Sequence, residues 1–265
     1  MKLYLDPGHG GSDAGAHGNG MNEKTFNLDV ARKIRSILTS HYPDAHVRMS
    51  RSDDTTKSLT ERTDEANDWG ADYFLSIHAN SFNGSADGYE DYIHSSLTDS
   101  STTAAHQNTM HENLLKVNQL QDRGTKKSNF HVLRESTMPA LLTENGFIDN
   151  PEDAALMKDS AWRQTVAQGH VNGLAAIFNL KQTKKTKTFY KIIAGSFRSQ
   201  SNAKKRADHL KSNGLEAYIA AVTISGETWH RVQAGAFAKW QNAEKYLQVV
   251  KANDVSDAYI IKETS

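Results

Sequence analysis

The chain has 265 residues, enough for one large domain and a small one, and its 31 basic and 31 acidic side chains cancel only overall. Residues 1–180 hold 16 Lys and Arg against 24 Asp and Glu, and residues 181–265 hold 15 against 7, so two units with different partners are expected. The basic one suits a polyanion, or simply carries a solvated lysine-rich surface. The absence of cysteine excludes disulfides, thiolate metal sites and a cysteine nucleophile. The first residues lack an apolar signal-peptide core, and no run approaches the roughly 18 apolar residues of a membrane helix. A soluble chain without an export signal is expected.

Lys2–Gly11 reads as a short apolar strand, Leu3 to Leu5, ended by Pro7 and followed by a glycine loop that offers Asp6 and His9. A histidine at the carboxyl end of a first strand sits where open α/β sheets place ligands. Phe26, Val30, Ile34, Ile37 and Leu38 recur at helical spacing, with Asn22 as N-cap and Glu23 in the first turn. By itself Glu23 reads as a carboxylate complementing the helix dipole. His46–Ser50 predicts a second strand and Leu59–Asn67 a short helix. Asp72–His78 predicts a buried strand that again ends in a histidine, His78, with Asn80 just beyond. Gly88–Ile93 reads as a strand, and a helix with a polar face follows as far as about Leu120. Phe130–Leu133 reads as a strand and Met138–Glu144 as a stronger one that delivers Glu144. Asn145–Asn150 reads as a loop, Asn150-Pro151 as a helix start, and 161–178 as the last helix of the domain.

Strands alternating with helices predict an α/β unit, a mainly parallel sheet with helices on both faces. His9, His78 and Glu144 fall at the ends of three strands, and Glu23 opens the helix after the first. The expected domains are 1–180, a polar linker at 181–188, and 189–265. In the last of these the sequence repeats: Phe189–Phe197 matches Trp229–Phe237, Asn202-Ala203 matches Asn242-Ala243, and Ala217–Ile219 matches Ala258–Ile260. Each repeat reads strand, helix, strand, giving a small α+β ferredoxin-like βαββαβ unit.

Two histidines and a glutamate suit zinc, whose catalytic sites keep three protein ligands and an open position. His9, Glu23 and His78 would be the ligands of one Zn²⁺, and Glu144, unbound to metal, the general base. The residues alone leave a metal-free hydrolase and a binding domain open.

Asp6-Pro-Gly-His-Gly-Gly11, with Asp13 and Gly15, Asn22-Glu23, Ser76–Asn80 and Thr143–Phe147, resembles, in order, the motifs of the zinc-dependent N-acetylmuramoyl-L-alanine amidases of the type-three family. The resemblance covers residues 1 to about 180. It implies zinc held by His9, Glu23 and His78, Glu144 as the catalytic carboxylate, and hydrolysis of the amide between the lactyl group of N-acetylmuramic acid and L-alanine. The paired Ala194–Phe197 and Ala234–Phe237 segments resemble a SPOR domain, which implies binding of glycan strands. The combination resembles Bacillus amidases that lyse the sporulation mother cell, and it fits a phage endolysin. A monomer acting on peptidoglycan is expected, released from the mother-cell cytoplasm by lysis or through a holin, with no nucleic-acid or membrane partner. The alternatives are a zinc peptidase or deacetylase acting on the wall, and an inactive wall-binding protein. Arg51 and Arg62 are expected to brace loops through Asp53 or Glu65. His131 is the spare histidine nearest to the Glu144 strand.

Overall fold

A computed structural model describes residues 1–183 and 188–264, so half of the expected linker at 181–188 lies outside the described residues. The chain divides into two compact units, the first being Met1–Thr183.

The first unit is built on β1 (Lys2–Pro7), β4 (His46–Met49), β5 (Tyr73–Asn80), β6 (Tyr89–His94), β7 (Asp122–Ser128) and β8 (Ala140–Phe147), in the order β4-β1-β5-β8-β6-β7. β4, β1, β5 and β8 are parallel; β6 runs antiparallel to β8, and β7 runs parallel to β6. Two-residue strands β2 (His17–Gly18) and β3 (Met21–Asn22) make a small hairpin before α1 (Glu23–His41).

Alternation along β1 assigns its side chains to two cores. Leu3 and Leu5 face Val30, Ile34 and Leu38 of α1, Met110 and Leu114 of α3 (Thr102–Leu115), and Val166, Val171 and Leu174 of α6 (Ser160–Phe178). Tyr4 faces the other side. There it stacks on Phe74 at 5.5 Å and joins Ala66 of α2 (Leu59–Trp69) with Val132 and Leu133 of α4 (His131–Arg134). Full burial of each such aliphatic or aromatic side chain stabilises the fold by about 1.5–3 kcal/mol. Helices therefore cover both faces, as the alternating pattern predicts.

Several local expectations are corrected. Pro7 does not end the pairing: it still lies in register with Ile77, and Gly8 N–H donates to the Ile77 carbonyl at 3.0 Å. Asn22 occupies the N-cap position of α1, but its side chain makes no cap bond. The first N–H groups of the helix donate instead to the carbonyls of Ala16 and Ala14. Residues 131–134 form a turn of helix, not a strand, since four apolar-rich residues do not fix a period. β7 went unpredicted because Asp122-Arg-Gly-Thr-Lys-Lys-Ser128 has no apolar face; it is a charged edge strand. β8 continues through Asn145-Gly-Phe147, read from sequence as loop, because Asp153 accepts from Phe147 N–H at 2.8 Å and Gly146 takes φ +100°. Asn150 does cap α5 (Pro151–Lys158), accepting from the N–H groups of Glu152 and Asp153.

The second unit has β9 (Thr188–Phe197), α7 (Gln200–Ser212), β10 (Tyr218–Ile224), β11 (Glu227–Phe237), α8 (Trp240–Ala252) and β12 (Tyr259–Thr264). The order β10-β11-β9-β12, all antiparallel, is the ferredoxin-like arrangement. Small residues at matched places (Ala203 and Ala243, Ala194 and Ala234) let both helices lie close on the sheet. Tyr190, Phe197 and Phe237 pack on that side, Tyr190 against Trp240 and Phe237 against Tyr246. The open face carries a row in register across all four strands: Tyr218, Gln233, Ile193, Tyr259. The two tyrosines, equivalent in the repeat, stay about half exposed, while Gln233 and Ile193 between them are buried.

Candidate metal centre and catalytic groove

His9, His78 and Glu144 stand at the carboxyl ends of the adjacent strands β1, β5 and β8, and His78 and Glu144 are register partners. Glu23, first residue of α1, is buried beneath them. His9 Nε2 lies 3.1 Å from Glu23 Oε2, and His78 Nδ1 lies 2.8 Å from Glu23 Oε1. One donor atom from each of these residues falls within 4.8 Å of the others. A tetrahedral ion with bonds of about 2.0 Å spaces its ligands roughly 3.3 Å apart, so the donor set and its convergence fit zinc.

The candidate ligands are held from behind. His9 sits at φ +62°, in the left-handed region that costs a residue with a Cβ about 1–2 kcal/mol. Asp13 compensates by taking its Nδ1 at 2.7 Å, leaving Nε2 to face Glu23. Burial opposes protonation of His9, but hydrogen bonding and charge from Glu23 and Asp13 raise its imidazole to about 9. Glu23 accepts from Ala16 N–H at 2.8 Å, Ala79 N–H at 3.1 Å and Asn27 Nδ2 at 3.2 Å. Burial works against its charge, yet hydrogen bonds with His78 and His9 hold its carboxyl far below the usual range. Glu23 is thus an ionised carboxylate between two imidazoles, a placement that the helix dipole alone does not account for. Two glycines make room. A Cβ at Gly8 would stand 2.1 Å from His78 Cε1, and one at Gly15, where φ is +65°, 2.6 Å from Glu23 Oε2.

Arg62 and Arg51 do brace loops, through partners other than Asp53 and Glu65 side chains. Arg62 forms a buried pair with Asp6 at 2.5 Å and donates to the carbonyls of Pro7, His9 and Lys57. Arg51 donates to the carbonyls of Pro7, Gly8, Lys24 and Asp53. Together they fix the glycine loop that carries His9.

Glu144 is different in kind. Its Oε2 is buried and has no hydrogen-bond partner in the protein. Burial first, then the charges of Glu23 and Glu90, push its carboxyl well above the ordinary range. Glu90 is its register partner on β6 and is itself buried, held by Arg123, Lys126, Tyr92 and Asn80. Asn80 therefore supports the site through Glu90. Thr143, just before Glu144, shares a 3.1 Å hydrogen bond with buried His170 of α6. Sequence reasoning missed Asn27 and Glu90. Asn27 lies one turn after Glu23, a spacing that puts both on one helix face; Glu90 had no local signal.

The site opens into a groove of about 490 Å³ between the start of α2 and α4, lined by His9, His78, Glu144, Leu59, Phe130 and His131 among others. No residue of the 95–128 segment lines it. No helix among the described residues is long and apolar enough to cross a membrane.

Residues 3–176 match the family model for N-acetylmuramoyl-L-alanine amidase, and residues 186–262 match that for the SPOR domain. The chain is 48% identical over 219 residues to N-acetylmuramoyl-L-alanine amidase CwlM of Bacillus licheniformis, covering 83% of this chain and 84% of that one. It is 47% identical, with the same coverage, to the sporulation-specific N-acetylmuramoyl-L-alanine amidase of Bacillus subtilis. Among solved structures, the catalytic domain of the N-acetylmuramoyl-L-alanine amidase CwlV from Bacillus (Paenibacillus) polymyxa var. colistinus superposes with a TM-score of 0.65 at 38% identity, covering 68% of this chain and 99% of that domain. The chain belongs to the N-acetylmuramoyl-L-alanine amidase family: it is a peptidoglycan amidase that also carries a SPOR domain.

Proposed function

We propose that His9, Glu23 and His78 hold one zinc ion, that Glu144 is the general base, and that the bond cut joins the lactyl group of N-acetylmuramic acid to L-alanine. The observation that carries this reading is the division of labour among four residues. Three donor atoms converge and are held by other side chains and backbone, while the fourth residue, Glu144, presents a buried oxygen with no partner. Zinc, when bound, brings the pKa of a water to about 7 and polarises the amide carbonyl.

The chain's own residues do the rest. Glu144 Oε2 takes a proton from the attacking water as its oxygen bonds to the lactyl carbonyl carbon. The same carboxyl then gives that proton to the amide nitrogen as the C–N bond breaks, releasing L-alanine with a free amine. A carboxyl held above its ordinary range by burial suits both halves of the transfer. Asn145 donates to the His78 carbonyl at 3.1 Å, which ties the β5 and β8 ends into one frame.

The second unit serves as the glycan-binding module, residues 1–180 as the catalytic one. The Tyr218–Tyr259 row on its open sheet face offers two exposed rings for stacking on sugars. Joining a wall-binding module to the enzyme raises its local concentration on an insoluble substrate. The setting that fits is lysis of a wall late in sporulation or at phage release, by a monomer that needs no protein partner.

The test is digestion of purified peptidoglycan with and without a chelator, assaying new N-termini and reducing ends. New L-alanine N-termini without new reducing ends, abolished by chelator and restored by zinc, are expected. New ends within the stem peptide would favour a peptidase and overturn the assignment of the bond.

A further inference from the structure

Basic side chains outnumber acidic ones 15 to 7 over residues 181–265. Cations are therefore left over once the second unit's ion pairs are made, which among its described residues are Lys191–Glu263, Arg198–Glu227, Lys204–Asp208 and Arg206–Asp257. Two of them stand out by position. α7 and α8 lie side by side on one face of the sheet, His209 Nε2 donating to the Asn253 carbonyl at 3.0 Å. Lys205 and Lys245 hold equivalent places on these helices, each two residues past a buried alanine, Ala203 or Ala243. Two residues turn a helix by about 200°, so both lysines point away from the sheet. Both are exposed, and neither side chain enters a hydrogen bond or ion pair among the described residues.

Their retention in both repeats needs a reason. Other outward places have diverged: Ser201 against Gln241, Lys204 against Glu244, Asp208 against Gln248. The pairs that remain alike mostly have a structural use. Ala203 and Ala243 pack on the sheet, and the Asn213 and Asn253 amides donate to the His209 and Val249 carbonyls at the helix ends. Lys211 and Lys251 lie in the last turns, where a cation complements the helix dipole. Lys205 and Lys245 stand in mid-helix, where neither packing, capping nor the dipole calls for a charge.

The neighbours of the two lysines say what they would hold. One turn away on the same helices lie Ser201, Asn202, Gln241, Asn242 and Gln248, and no Phe, Tyr or Trp. A nucleic acid strand would find no ring for its bases to stack on. A polymer of phosphates and hydroxyls would find ammonium groups for the one and amides for the other. A repeating anion also gains from counterion release, which an isolated carboxylate does not. The first 180 residues, with 24 acidic groups against 16 basic ones, would repel such a polymer, so its site belongs to the second unit.

We propose that the outer face of α7 and α8, centred on Lys205 and Lys245, binds an anionic polymer of phosphodiester-linked polyols. This face is separate from the open sheet face that carries Tyr218 and Tyr259, and it does not depend on the glycan reading of that face. It gives the amidase a second, salt-sensitive hold on a wall that contains such a polymer.

The experiment titrates soluble poly(glycerol phosphate) onto the full chain by calorimetry over a series of salt concentrations. The wild type is expected to bind, with log K falling linearly with log salt. Lys205→Gln with Lys245→Gln should weaken binding about tenfold at low salt and reduce the slope by about 1.4, at roughly 0.7 per neutralised charge for a flexible single strand. Lys191→Gln with Arg231→Gln, which removes the same charge from the strands, should stay within about twofold of wild type. Equal losses in both double variants would mean a diffuse field and overturn the proposal. A wild type that does not bind, or binds without salt dependence, would overturn it too. Tighter binding of single-stranded DNA than of the polyol phosphate would assign the face to nucleic acid and overturn it as well. Turnover of a soluble muropeptide, measured alongside, tests the amidase reading separately and should be the same in every variant.

Discussion

The two units handle polar groups in opposite ways. Among the described residues, every buried polar or charged side chain but Gln233 lies in the first unit. That unit buries Asp6 with Arg62, Glu23 with two histidines, Glu90 with Arg123 and Lys126, Asp91 with His111, and the Oε2 atom of partly buried Glu144 with nothing. The second unit builds its core from alanines and aliphatics brought close by a repeat. The proposed division of tasks accounts for the difference. Moving a proton requires charged groups held in low dielectric at fixed positions, and each must be supported by further polar groups. A surface that recognises a polymer needs only a stable platform.

The sharpest way to test that contrast is Glu144→Gln. It keeps the shape of the side chain and removes the proposed base, so turnover should fall about 10²–10⁴-fold. Binding to insoluble peptidoglycan, measured by cosedimentation, should not change. A parallel loss of wall binding would mean that the two tasks are not divided as described.

Next is the buried pair under the glycine loop. Asp6→Asn leaves Arg62 charged without its partner, which typically costs about 3–5 kcal/mol. At roughly 2–4 °C per kcal/mol, the first unit should melt on the order of 10 °C lower by calorimetry. An unchanged melting temperature would mean that the Arg62 bonds to backbone carbonyls suffice alone.

His170 gives a pH test of the same principle. Burial lowers its imidazole pKa from 6.5 to about 4, so it stays neutral in the native state. Below pH 6.5 the unfolded chain takes up the proton first. Stability should therefore fall as pH drops from about 6.5 toward 4, by on the order of 3 kcal/mol, and be fully present above that window. Urea melts at pH 7 and pH 4.5 measure it, and His170→Gln should flatten the difference. No such buried histidine exists among the described residues of the second unit, whose own pH profile should be flatter there.

The smallest effect belongs to the open sheet face. Tyr218→Ala or Tyr259→Ala should each weaken binding to glycan strands several-fold, with no change in turnover of a soluble muropeptide. If either tyrosine changed that turnover, the face would not be a separate binding surface.

Much of this was legible in the sequence where pattern and chemistry coincide. Apolar runs leading to His9, His78 and Glu144 located three of the strands, and Phe26, Val30 and Ile34 marked α1. The repeat of Ala-Gly-Ser/Ala-Phe gave the second unit its topology. Legibility failed where structure is set by distant partners. β7 is a strand because β6 offers an edge, not because Asp122–Ser128 prefers to be one. β8 extends past Glu144 because Asp153, from the next helix, accepts from Phe147 N–H. Arg62 pairs with a residue 56 positions earlier, and Glu90 meets Glu144 across an antiparallel step, neither of which leaves a local trace.

On the proposed mechanism, three residues hold the metal and a fourth does the proton work. Zinc titration of the chelator-treated protein, followed together by metal content and turnover, tests it most directly. The wild type should bind one zinc per chain and regain activity in step. Glu144→Gln should bind the same single zinc and stay inactive, while His9→Ala and His78→Ala should lose it. A Glu144→Gln protein that fails to take up zinc, or a His78→Ala protein that keeps both metal and turnover, would contradict the account.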